Sequence, residues 1–119
     1  MASPRSNVDI AFELLLDAAH RTSQGRLVGK ILGLVGYGTL GREIARRAVR
    51  SGMEVLYADP EPRGGRHKRV LLNELLARSD YVMLLPDAAQ DMPHATEVLP
   101  YLKPGAHLVR VRSKPAETE

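Results

Sequence analysis

The chain has no cysteine and no tryptophan among its 119 residues, and only one phenylalanine. Without cysteine there is no disulfide scaffold, no thiolate metal site and no cysteine nucleophile. With four tyrosines as the main aromatic supply, the stacking platforms of single-strand binders have few candidates, so nucleic acid is not an expected partner. No apolar run approaches the roughly 18 residues of a membrane span. The opening stretch MASPRSNVD lacks the apolar centre of a signal peptide. A soluble, cytoplasmic chain is expected. Charge of one sign is also scarce: 17 basic against 14 acidic residues leave +3. Most of that excess sits at Arg63, Arg66, Lys68 and Arg69, around His67. Such a cluster can grip phosphate, although a solvated loop is the plainer reading of it.

What is present is apolar patterning. With 44% hydrophobic residues, residues 1–119 are expected to fold as one domain around one core. Helical spacing of Val8, Ala11, Phe12, Leu15, Leu16 and Ala19 predicts a helix over 7–21, capped by Ser6 or Asn7. Leu14 widens its apolar stripe, as in a helix buried on more than one side, in a core or against a second subunit. A core over 30–112 follows. Ile31 to Val35 reads as a buried strand and Thr39 to Ser51 as a helix stopped by Gly52. Val55 to Ala58 reads as a strand, 60–68 as a Pro/Gly/Arg-rich loop and Val70 to Arg78 as a helix. Tyr81 to Leu85 is a third strand, residues from about His94 to Leu102 a helix, and His107 to Val111 a fourth strand. Residues 113–119 read as a frayed tail.

Strands alternating with helices predict an α/β fold with a parallel sheet and right-handed crossovers. The segment Gly36-Tyr37-Gly38-Thr39-Leu40-Gly41 spells G-x-G-x-x-G between a predicted strand and a predicted helix, the setting that gives this motif meaning. Gly36 permits the tight turn, Gly38 leaves room for a pyrophosphate, and Gly41 lets the helix approach the sheet. Helix N–H groups then face the phosphates. Asp59 ends the second strand 18 residues after Gly41, where a carboxylate accepts ribose hydroxyls and repels a 2′-phosphate, so NAD is expected over NADP. Together these predict a Rossmann-like sheet of about four strands, order 3-2-1-4, with flanking helices and an N-terminal helix. The expected cofactor-binding positions are Gly36, Tyr37, Gly38, Thr39, Leu40 and Gly41, with Asp59, Pro60 and Pro86 at the ends of the second and third strands. No metal site is expected.

These residues also resemble a family. Residues 29–41 (GKILGLVGYGTLG) and 52–60 (GMEVLYADP) are similar to the cofactor domain of D-2-hydroxyacid dehydrogenases, which include phosphoglycerate and formate dehydrogenases. So are residues 74–82 (ELLARSDYV) and the turn 102–106 (LKPGA), and the first helix resembles the one that leads into that domain and helps to form its dimer. The resemblance implies NAD as cofactor and homodimerisation through the N-terminal helix.

It also marks departures. The family's catalytic arginine follows the fourth strand, within Asn-x-x-Arg-Gly. Arg112 is the nearest position, but the sequence reads Arg110-Val111-Arg112-Ser113, one residue short. The glutamate and histidine of the family's active site, and its separate substrate domain, have no counterpart in residues 113–119. His20, His67, His94 and His107 show no shared metal-ligand spacing and read as structural or solvent-facing. A free-standing or truncated NAD(H)-binding module, catalytically incomplete, is therefore expected. The alternatives are a small enzyme taking its acid–base group from a partner protein or second subunit, and a fold reused for another ligand.

Overall fold

The computed structural model describes residues 6–22, 25–61, 67–85 and 95–111. Arg63, Arg66, Pro86, Pro93, His94, Arg112 and the tail at 113–119 lie outside them. The chain opens with α1 (Asn7–Thr22). Ser6 caps it reciprocally: its Oγ accepts the Asp9 N–H at 3.1 Å while the Ser6 N–H donates to the Asp9 carboxylate at 3.4 Å, a capping box closed by aspartate. Val8, Ala11, Phe12, Leu15, Ala18 and Ala19 enter the chain's own core. The stripe expected to serve a second subunit is therefore mostly internal, and of the leucines Leu14 and Leu16 stay outside, 38% and 37% exposed.

Strand β1 (Ile31–Val35) leads through the glycine turn into α2 (Thr39–Arg50), then β2 (Glu54–Ala58). Gly52 ends α2 with φ +87°. The Met53 N–H reaches the Ala48 carbonyl and the Gly52 N–H the Val49 carbonyl, both at 3.0 Å, the paired bonds of a left-handed helix stop. Ile44, Ala45 and Ala48 face inward, as the spacing predicts. Arg47 turns to α1, donating to Asp9 at 3.1 Å with its guanidinium 5.5 Å from the Phe12 ring.

Residues 68–69 hold the main departure from the expected layout. Lys68–Arg69 form a two-residue strand, β3, parallel to β2, and the Val70 N–H extends that ladder to the Tyr57 carbonyl at 2.9 Å. Helix α3 therefore starts at Leu72 and runs to Arg78. Then come β4 (Tyr81–Leu84), a helical turn α4 (Ala95–Val98), a 3₁₀ turn at Leu99–Tyr101 and β5 (His107–Arg110). Pro100 lies in the first turn of that 3₁₀ segment, which splits the helix expected over 94–102: a proline there cannot donate to an α-helical ladder.

The sheet order is β3-β2-β1-β4-β5, parallel throughout. The order 3-2-1-4 holds once Lys68–Arg69, the strand that was not expected, takes the third place; the expected third strand then lies beside β1 as β4, and the expected fourth becomes β5 at the far edge. Tyr81–Leu84 is consequently the fourth strand and pairs with β1. Side chains alternate between two cores. Leu32, Leu34, Tyr57, Met83 and Val109 meet α1 and α2 on one face. Val35, Leu56, Ala58 and Val82 meet Leu75 and Leu76 of α3 on the other. Gly33 lets α3 approach β1 closely, since a Cβ there would fall onto the Ser79 Oγ and lie 2.6 Å from Leu75 Cδ2.

Candidate functional site at the carboxyl edge of the sheet

Parallel strands place every carboxyl end on one edge, and the chain crosses from β1 to α2 there. Gly36 takes φ +96°, a conformation that side chains oppose, and its N–H donates to the Ala58 carbonyl at 2.8 Å. Gly38 caps α2 in extended backbone, φ −93°, with no side-chain cap bond and no acidic residue in the first turn. A Cβ on Gly41 would lie 3.1 Å from Leu85 Cδ1 and 3.3 Å from the Gly36 carbonyl oxygen. The helix start is thus pressed against the turn, leaving its positive end facing outward.

Asp59 follows β2 and is 7% exposed. One carboxylate oxygen accepts the Tyr37 N–H at 3.0 Å, the other the Glu61 N–H at 2.9 Å. The carboxylate expected to meet a ribose thus also holds the glycine turn against the end of β2. Arg69 packs behind it, donating through Nε and Nη2 to the Asp59 carbonyl at 3.1 and 2.9 Å and to the Pro60 carbonyl at 3.1 Å. A cavity of about 500 Å³ opens beside these groups, lined by Ala58, Asp59, Pro60, Arg69 and Leu71 among others. A larger open cleft, about 580 Å³, runs along the outer flank of α2 by Asn7, Arg46 and Arg50, and touches the fingerprint only at Thr39 and Leu40.

Sequence patterning did not foresee the surroundings of Tyr37. Its ring is 2% exposed and stacks on Tyr57, with centroids 3.9 Å apart and planes 16° from parallel. Its hydroxyl lies 2.6 Å from His67 Nδ1, and the Arg42 guanidinium stands 5.7 Å from the ring centre. Burial pushes the phenol's pKa up, opposed by the nearby Arg42 charge and reinforced by Tyr57. Tyr57 shares a sheet face with Leu34 through the β1–β2 register, which the sequence alone does not give.

The structure thus gathers Gly36, Tyr37, Gly38, Thr39, Leu40, Gly41, Asp59 and Pro60 at one edge. His20 is elsewhere, bonded to the Leu16 carbonyl at 2.9 Å, and His107 opens β5 at the opposite edge. Among the described residues no group of three or more potential metal ligands converges, and no helix is long and apolar enough to cross a membrane.

Residues 12–112 match the model of the D-isomer specific 2-hydroxyacid dehydrogenase NAD binding domain. A glyoxylate reductase of Thermococcus onnurineus is 36% identical over 99 residues, covering 76% of this chain and 30% of that protein. A glyoxylate reductase structure from Paecilomyes thermophila superposes with TM-score 0.71 at 27% identity, over 89% of this chain and 39% of that one. The NAD-dependent formate dehydrogenase of Staphylococcus aureus, solved in complex with NAD, shares the fold: TM-score 0.70 at 23% identity, over 89% of this chain and 39% of that one. The chain spans less than half the length of these relatives. A match over 101 of 119 residues, on a glycine turn built as the fingerprint requires, places this chain in the D-isomer specific 2-hydroxyacid dehydrogenase family, as its NAD binding domain.

Proposed function

We propose that this chain binds NAD(H) at the carboxyl edge of β1 and β2, through Gly36, Tyr37, Gly38, Thr39, Leu40 and Gly41 and through Asp59 and Pro60. The observation that carries the proposal is the Tyr37 N–H to Asp59 contact at 3.0 Å, which joins the diphosphate turn and the ribose carboxylate into one unit. The residues fit the group. The first turn of α2 carries no carboxylate to repel a diphosphate, the side-chain-free Gly38 caps it, and a cavity adjoins Asp59. When bound, the coenzyme supplies hydride transfer. The chain's own residues hold the diphosphate on helix N–H groups and the ribose on a carboxylate.

Asp59 favours NAD over NADP, because its charge stands where a 2′-phosphate would go. Arg69 is anchored on two backbone carbonyls and would have to leave them to offset that repulsion. The proton donor for any hydroxyacid chemistry comes from outside the described residues, through another segment, a partner protein or a second subunit. Self-association through the outer face of α1, at Leu14 and Leu16, and a cytoplasmic location near the NAD pool belong to the same proposal.

Calorimetric titration with NADH, NADPH and NAD tests it. Binding of NADH that is lost in Gly38→Val and is weaker for NADPH is the expected result. No heat at millimolar ligand, an affinity weaker than about −4 kcal/mol, overturns it.

A further inference from the structure

Two glycines flank Tyr37, and glycine loses more backbone freedom on ordering than any other residue. The turn needs an external constraint to present its N–H groups in one arrangement, and preorganisation of that kind strengthens binding. Tyr37 carries the constraint, and its side chain is the only one between the two glycines. The backbone N–H is tied to Asp59 at 3.0 Å, the ring is stacked on Tyr57 at 3.9 Å, and the hydroxyl meets His67 Nδ1 at 2.6 Å. His67 immediately precedes β3, on the crossover that returns from β2. The hydroxyl bond therefore joins the glycine turn to a second loop, 30 residues away in sequence.

We propose that Tyr37 and His67 form a latch that fixes the glycine turn for the coenzyme diphosphate, with Tyr37 a positioning residue of the coenzyme site. This rests on the NAD(H) binding proposed above. The latch acts through hydrogen-bond geometry. Either tautomer of His67 serves, since the phenol donates to a bare Nδ1 or accepts from a protonated one. Tyr37→Phe keeps the stack on Tyr57 and removes only the hydroxyl. His67→Ala removes the partner, whereas His67→Asn restores a polar δ atom that can donate or accept.

NADH titration of the wild type, the three single variants and the Tyr37→Phe/His67→Ala double variant tests the latch. Tyr37→Phe and His67→Ala each weaken NADH binding about fivefold, the value of one neutral hydrogen bond. The double variant loses no more than either alone, and His67→Asn binds close to wild type. Losses that simply multiply in the double variant, or wild-type affinity in Tyr37→Phe, overturn the latch. Amide exchange of Tyr37 and Gly38 in the ligand-free chain separates this from the binding itself. If wild type binds no dinucleotide, the functional proposal fails, and exchange alone decides. Faster exchange in Tyr37→Phe supports the latch, and unchanged exchange overturns it.

Discussion

The Asp59 carboxylate accepts the backbone N–H of Tyr37, at 3.0 Å, across 22 positions of sequence. The bond is buried, so removing its acceptor strands a donor away from water. Asp59→Ala is expected to cost about 1–3 kcal/mol of stability and to lower NADH affinity together with it. Urea denaturation beside NADH titration checks both. Loss of affinity with unchanged stability would mean that Asp59 serves the ribose without holding the turn.

Asp80 performs a comparable task at the opposite edge. Its carboxylate accepts the Ile31 N–H at 2.7 Å and pairs with Lys103 at 2.9 Å. Partial burial pushes its pKa up, but the Ile31 bond and Lys103 outweigh this and hold it below the ordinary 3.8. A depressed folded pKa means stability that is fully present above the unfolded value and lost as pH falls through the folded one. Asp80→Asn should therefore be less stable than wild type by about 1 kcal/mol near neutrality. The gap should begin to close below about pH 4, near the unfolded aspartate pKa. Urea melts between pH 2 and 7 read this directly, and a gap that widens in acid would refute it.

Gly33 and Ser79 make a paired test of packing. A methyl on Gly33 has nowhere to go between Ser79 and Leu75, so Gly33→Ala should destabilise by about 1–3 kcal/mol or more. The Ser79 Oγ is buried and has no hydrogen-bond partner, so Ser79→Ala should be neutral or stabilising. Thermal unfolding of the two variants and their combination is the measurement, and the combination should recover part of the glycine loss.

Helix α1 separates core from association. Leu15 is fully buried, so Leu15→Glu is expected to leave the chain unfolded, because an unpaired charge in that core is not tolerated. Leu14→Glu and Leu16→Glu should fold. If α1 mediates a dimer, they convert a sedimenting dimer into a 13.1 kDa monomer. A wild-type monomer at micromolar concentration removes the dimer from the proposal.

The strand–glycine–helix–strand run from Ile31 to Asp59 was legible because its signals are local: apolar runs, glycine punctuation and 3.6-residue spacing coincide. Lys68–Arg69 was not legible, since two exposed basic residues carry no strand pattern and pair only because β2 presents a free edge. The split near Pro100 was hidden by an otherwise helical composition. At the site, the glycines and Asp59 could be located by spacing, whereas Tyr37 stacking on Tyr57 and bonding His67 depends on tertiary placement. For α1 the breadth of the apolar stripe was visible, but not which leucines the chain's own sheet would cover. Arg112 and Pro86 fall outside the described residues.

The edge strand β3 has a bearing on behaviour at high concentration. Without it, β2 would offer the backbone positions of Leu56 and Tyr57 to any passing extended peptide. Lys68 and Arg69 occupy those positions with two exposed cations, and short charged edges are poor templates for strand addition. The cover is two residues long and is held by Arg69 on the Asp59 and Pro60 carbonyls and by the Val70 N–H on the Tyr57 carbonyl. Replacing Lys68 and Arg69 with valine would remove both charges from this edge and is expected to favour intermolecular β-structure on standing.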